Sequence, residues 1–206
     1  MNAEERRAHW DRIYATKREA EVSWFEASPD ASLAALARAG VTRGSAIIDV
    51  GGGASRLVDR LVLDGYEDVT VLDVSAAAIE AAKARLGKAA DRMCWLCRRR
   101  DSLDARQTLR HLARPRRLPL PLDPADRAAY VERMGRALKS AGVAIIATFA
   151  PDGPRTCSGL PVARYDAANL SAVVGREFDL IGSRRYEHHT PSGASQPFQF
   201  SIFKRV

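Results

Sequence analysis

Cysteine is scarce in this chain. Three residues in 206, an odd number, give no disulfide framework and point to a reducing compartment, read here as the cytoplasm. Long apolar runs are missing as well. The longest, 142–150, falls far short of the roughly 20 residues that a membrane span needs. The charged opening 1–7 has no apolar stretch of the kind that marks a secretory signal. Internal repeats and long linkers are also lacking, so 1–206 reads as one domain, long enough to bury a core without staples. What is present is globular in character. Hydrophobic residues at 46% and charged residues at 28% exclude a wholly disordered chain.

The net charge of +7 raises the question of nucleic acid. Its distribution argues against it. Eight arginines and two acids, Asp101 and Asp104, fall within 94–121, which leaves the rest of the chain at only +1. A basic face spread over a fold attracts phosphate backbones, whereas one local arginine run is weak evidence for it.

The order of elements is informative. Trp10, Ile13, Tyr14 and Lys17 recur at helical spacing, so 3–18 reads as a helix. A second helix spans 30–39, after Pro29 and before Gly40. Ala46-Ile47-Ile48-Asp49-Val50 reads as a buried strand, followed by a tight glycine turn and a helix over 55–63. A second buried strand, 69–72, stops at Asp73, and Ser75 caps a helix over 76–86. Alternating strands and helices imply an α/β fold, a Rossmann-like, doubly wound and mostly parallel sheet. Further on, 123–139 is a helix, 143–149 a strand apolar on both faces and therefore central, and 166–174 a short helix. Strands over 177–186 and 198–204 flank the turn residues Thr190-Pro191-Ser192-Gly193, so the chain closes on an antiparallel pair.

Asp49-Val50-Gly51-Gly52-Gly53 is the most telling stretch. Glycines after a buried strand let the backbone approach a ligand, and the following helix points free N–H groups at it. The dinucleotide fingerprint G-x-G-x-x-G asks for a third glycine, and Arg56 stands there instead. That speaks against a nicotinamide or flavin cofactor. Asp73, 20 residues after Gly53, ends the second strand, where a carboxylate accepts hydrogen bonds from the two hydroxyls of a ribose.

These two motifs, with Val71-Leu72-Asp73 for the second, resemble those of class I S-adenosylmethionine-dependent methyltransferases. The opening His9-Trp10-Asp11-x-x-Tyr14 and Val22-Ser23-Trp24-Phe25 resembles one bacterial branch, similar to some protein-lysine methyltransferases. Arg136-Ala137-Leu138-Lys139-x-x-Gly142 and Phe198-Gln199-Phe200 are similar to that branch too. The resemblance covers roughly 9–90 and 123–204. It implies S-adenosylmethionine as cofactor and a small-molecule or protein acceptor. It also implies that Gly51, Gly52 and Gly53 pass under the methionine part, that Asp49 shapes the loop and that Asp73 holds the ribose. Trp10 and Tyr14 would lie on a lidding helix, or serve as ordinary core aromatics. Loops 151–165 and 187–197 would shape the acceptor pocket. No catalytic residue is assigned, because alignment of a reactive donor supplies much of the rate.

The window 94–121 departs from that pattern. It lacks the acid and the fourth apolar strand of the family, and it carries Pro115, Pro119 and Pro121. Reverse-translated with permitted codons and read one base later, it can yield an acid followed by an apolar stretch. A compensated frameshift would account for that, and a divergent insertion is the alternative. Either way the expectation is a sheet unpaired at its middle, with weakened cofactor binding. Cys94-x-x-Cys97 stands alone, without partners for a zinc site. Adjacent His188 and His189 point to opposite strand faces and read as surface or edge residues. Two rivals remain: a non-catalytic remnant with lost cofactor binding, and a nicotinamide-dependent oxidoreductase.

Overall fold

The computed structural model describes residues 3–97, 109–114 and 120–206, with the backbone alone for 109–114. Seven strands form one sheet in the order β3-β2-β1-β4-β5-β9-β8. They are β1 (Ile47–Val50), β2 (Val69–Asp73), β3 (Cys94–Cys97), β4 (Leu109–Arg114), β5 (Leu138–Phe149), β8 (Phe178–His189) and β9 (Ser195–Arg205). A separate hairpin pairs β6 (Thr156–Cys157) with β7 (Leu160–Pro161). Strands β3, β2, β1, β4 and β5 run parallel, and β9 runs antiparallel to both β5 and β8. This is the doubly wound α/β sheet with a C-terminal antiparallel pair that the alternation of elements predicts.

Helices cover both faces. On one, α1 (Ala3–Thr16), α2 (Asp30–Arg38) and α3 (Leu57–Leu63) bury Trp10, Leu36, Leu57 and Leu61 against Ile47, Val71, Ile145 and Phe198. On the other, α5 (Pro124–Ala137) and α6 (Ala167–Val174) bury Tyr130, Met134 and Leu170 against Ile48, Leu72, Ile146 and Phe203. The alternation of Ile47 and Ile48 between the two cores is the strand period of two at work. Helix α4 (Ala76–Leu86) follows β2, and the Ser75 side chain accepts from the Ala78 N–H at 3.2 Å, as an N-cap should.

Two expectations are corrected. The middle of the sheet is not unpaired: β4 lies between β1 and β5, with Ile48 opposite Leu112 and Leu112 opposite Ala144. The paired segment lies upstream of the three prolines, and a parallel ladder needs only backbone N–H and C=O groups. The remaining residues of the anomalous window, 98–108 and 115–119, lie outside the described residues. The second correction concerns α5, which stops at Ala137 rather than 139. Leu138 already pairs with Leu109, and the register shifts before His111 meets Val143. Ala141 takes a positive φ of 61° within that irregular stretch.

Candidate functional site

The sheet ends its parallel strands at one edge, and the glycine bend forms there. Val50 pairs with Leu72, so the chain leaving β1 passes beside Asp73 at the tip of β2. Gly51 adopts φ 79°, a left-handed conformation that favours glycine, and its N–H donates to the Leu72 carbonyl at 2.6 Å. A Cβ at Gly52 would strike the Asp49 carboxylate, with Cγ only 2.6 Å away. A Cβ at Gly53 would lie 2.6 Å from Asp73 Oδ2 and 2.7 Å from the Ala78 Cβ. The bare backbone of the bend thus lies directly against the carboxylate of the neighbouring strand. Asp49 is wholly buried beneath the bend, and Asp73 is 5% exposed. Asp73 Oδ1 accepts from the Ser75 N–H at 2.9 Å, which fixes the carboxyl plane.

The N-terminal segment straps this corner down. Asp11 of α1 accepts from Ser75 Oγ at 2.6 Å and from the Ala77 N–H at 3.5 Å, a carboxylate at the start of α4 where the helix dipole favours it. Trp10 is buried, edge-on to Trp24 at 5.5 Å between ring centres, and Tyr14 packs edge-on to Trp24 at 6.1 Å. Tyr14 is half-buried and lines a cleft of about 50 Å³ with Trp24, Phe25, Ala54 and Ala81. The structure therefore brings Tyr14 to the bend and places Trp10 in the aromatic core behind it.

Charged groups fasten the strap further along. Glu19, in a 3-10 turn (Glu19–Glu21), takes both Nε and a terminal nitrogen of Arg56, at 2.8 and 2.9 Å. The Arg56 side chain is thus turned toward the strap. Arg85, at the end of α4, donates to both Asp59 oxygens at 2.7 and 2.6 Å, to the Ser55 carbonyl at 2.8 Å and to Glu19 at 3.5 Å. Burial pulls the Arg85 proton affinity down. Its hydrogen bond to Asp59 and the charges of Asp59 and Glu19 together hold it above the usual guanidinium value. Arg85 thereby ties the bend, α3 and the strap to one point. Replacing it with Met should lower stability by about 1–3 kcal/mol, since a half-buried carboxylate and the Ser55 carbonyl lose their donor. Urea denaturation checks this, and an unchanged midpoint would dismiss the network as ornament.

His188 lies on the edge strand β8, as expected, but not at the surface. It is buried, its Nε2 lies 2.9 Å from the Ser23 carbonyl and its Nδ1 3.2 Å from Glu26, so it anchors the strap to β8. His189 is exposed, on the opposite face. Cys94 and Cys97 form no disulfide and lie on the edge strand β3, where residues three apart point to opposite faces. Loops 151–165 and 187–197 meet at the end of β5. The Ala150 N–H donates to the Pro197 carbonyl at 3.0 Å, and Arg185 reaches Asp152 at 2.6 and 2.7 Å. Arg185, foremost through its hydrogen bond, holds the Asp152 carboxyl below its ordinary value.

No protein-family model matches the chain, and no curated protein does. Solved structures do. An S-adenosylmethionine-dependent methyltransferase from Anabaena variabilis superposes with a TM-score of 0.77 at 14% identity, covering 100% of this chain and 96% of its own. The 1,6-didemethyltoxoflavin-N1-methyltransferase of Burkholderia thailandensis, solved with bound 1,6-didemethyltoxoflavin and S-adenosylhomocysteine, gives 0.75 at 17%, covering 100% and 91%. The chain has the methyltransferase fold. The N-methyltransferase NodS of Bradyrhizobium japonicum, in complex with S-adenosylhomocysteine, is similar at 0.71 and 14%, covering 100% and 99%. At these identities the likeness speaks for the methyltransferase fold alone. Among the described residues, no helix is long and apolar enough to cross a membrane.

Proposed function

We propose that this protein transfers a methyl group from S-adenosylmethionine to a small-molecule or protein acceptor. The observation that carries the reading is the contact of Gly53 with Asp73, a side-chain-free bend set against a carboxylate at the strand tip. The donor set fits a nucleoside. Asp73 would accept from the ribose hydroxyls, the backbone of Gly51, Gly52 and Gly53 would pass under the amino-acid end, and Asp49 would support the bend from below. Tyr14 would close over the cofactor from α1. The bound sulfonium supplies an electrophilic methyl group, and the chain's own part is to orient it and exclude water. Loops 151–165 and 187–197, joined at the end of β5, would frame the acceptor. A lysine side chain on a protein is one acceptor consistent with the resemblance at 9–25. A reducing, cytoplasmic setting suits cysteines that form no disulfide. Arg56, held by Glu19, leaves nothing in favour of a nicotinamide cofactor. The odd composition of 94–121 we ascribe to a compensated frameshift, which requires a nearby pair of opposite indels against a close relative's gene.

One observation favours a second reading. Residues 52–55 are buried, and Tyr14, Trp24 and Phe25 line with Ala54 a narrow cleft of about 50 Å³. A non-catalytic remnant, in which Trp10, Tyr14 and Trp24 have closed the crevice for good, has the same geometry. Thermal unfolding with S-adenosylhomocysteine separates the two, because a ligand of the native state raises the melting temperature by mass action. A rise supports the transferase, and none at millimolar ligand supports the remnant.

A further inference from the structure

A second cavity lies away from the glycine bend, between α2 and the edge strand β8. It measures about 200 Å³. Ala31, Ala34 and Ala35 form one wall, and Tyr186, Phe200 and Ile202 form the other. Tyr186 meets Phe200 edge-on, with ring centres 6.0 Å apart, so an aromatic corner is already built. Phe200 and Ile202 stand opposite Ala147 and Ile145, below the carboxyl edge at which β5 ends. β8 is four strands from β1 in the sheet, roughly 19 Å at the usual strand spacing. The cavity is thus separate from the candidate methyl-transfer site.

Two of its three charged lining residues are cationic. Arg38 and Arg184 both line it and are exposed. Arg38 reaches across from α2, with a terminal nitrogen 3.9 Å from where a Cβ on Gly182 would stand. Among the described residues, neither guanidinium makes a hydrogen bond or ion pair. The one acid of the lining, Asp30, accepts a hydrogen bond from Ser28 Oγ. An apolar slot served by two guanidinium groups suits a ligand with an apolar body and one anionic end. The volume sets the size: an apolar cavity of about 150 Å³ holds benzene.

We propose that this groove binds a small aromatic carboxylate, with the ring between α2 and the Tyr186–Phe200 corner and the carboxylate held by Arg38 and Arg184. The site is independent of the glycine bend. Calorimetric titration with 3-phenylpropionate, against the isosteric alcohol 3-phenylpropanol, tests it on the full chain. The carboxylate should bind one site saturably, and the alcohol at least about tenfold more weakly. Arg38→Gln and Arg184→Gln should each weaken the carboxylate about tenfold and leave the alcohol unchanged. Ala34→Phe fills the groove from an exposed helix position and should abolish binding of both. If that variant proves misfolded by circular dichroism, the two arginine variants decide. Saturating S-adenosylhomocysteine should leave the affinity unchanged. Equal affinity for acid and alcohol, no saturable site, indifference to both arginines, or displacement by S-adenosylhomocysteine would each overturn the proposal.

Discussion

Asp73→Ala is expected to remove the thermal stabilisation that S-adenosylhomocysteine gives the wild-type protein. The carboxylate would accept from two ribose hydroxyls, and hydrogen bonds to a charged group contribute about 1.5–3 kcal/mol each. Losing both weakens binding by about a hundredfold or more. At a ligand concentration near 100 times the wild-type Kd, mass action stabilises the native state by about 2.7 kcal/mol, a rise of roughly 5–10 °C for a chain of this size. The variant, with ligand then near its own Kd, should rise by about 1 °C. Asp73 Oδ1 also accepts from the Ser75 N–H, so the alanine variant loses some stability without ligand. Asp73→Asn keeps a side-chain acceptor for that N–H while removing the charge, and it too should lose most of the rise. A shift equal to wild type in both variants would take Asp73 out of the site.

Gly53→Val tests the bend from the opposite side. Its Cβ would meet Asp73 Oδ2 at 2.6 Å and the Ala78 Cβ at 2.7 Å, and neither neighbour can yield easily. The carboxylate is pinned by the Ser75 N–H, and Ala78 sits in the first turn of α4, wholly buried. Overpacking of this kind costs about 1–3 kcal/mol, so the melting temperature without ligand should fall by several degrees. The ligand-dependent rise should vanish with it, because the added side chain displaces the carboxylate that would hold the ribose. Gly44→Ala is the control. Nothing lies within 4 Å of a Cβ there, and both quantities should stay near wild type.

The two features just tested are local in sequence, which is why they are legible there. A buried strand, a glycine turn and an acid ending the next strand are set by short-range chemistry, and the ladder pairing Val50 with Leu72 brings them together. The fastening of the strap is different. Asp11 to Ser75, Glu19 to Arg56 and Arg85, and His188 to Ser23 and Glu26 join residues far apart in the chain, and no spacing rule announces them. His188 looked peripheral because a strand's alternation tells which residues share a face, not which face another segment covers. Strand β4 carries no such signal for a further reason. Leu109–Arg114 directly precedes the prolines of the window, and a central parallel strand is defined by the backbones on either side of it. The packing of Trp10, Tyr14 and Trp24 beside the bend also follows from tertiary contacts alone, since it forms only once α1 has folded back over α4.

The most direct measurement is a crystal structure of the protein grown with saturating S-adenosylhomocysteine. The account predicts both ribose hydroxyls within hydrogen-bond distance of the Asp73 carboxylate, and the amino-acid end resting on Gly51–Gly53. A nucleoside bound elsewhere, or none bound at saturating ligand, would contradict it.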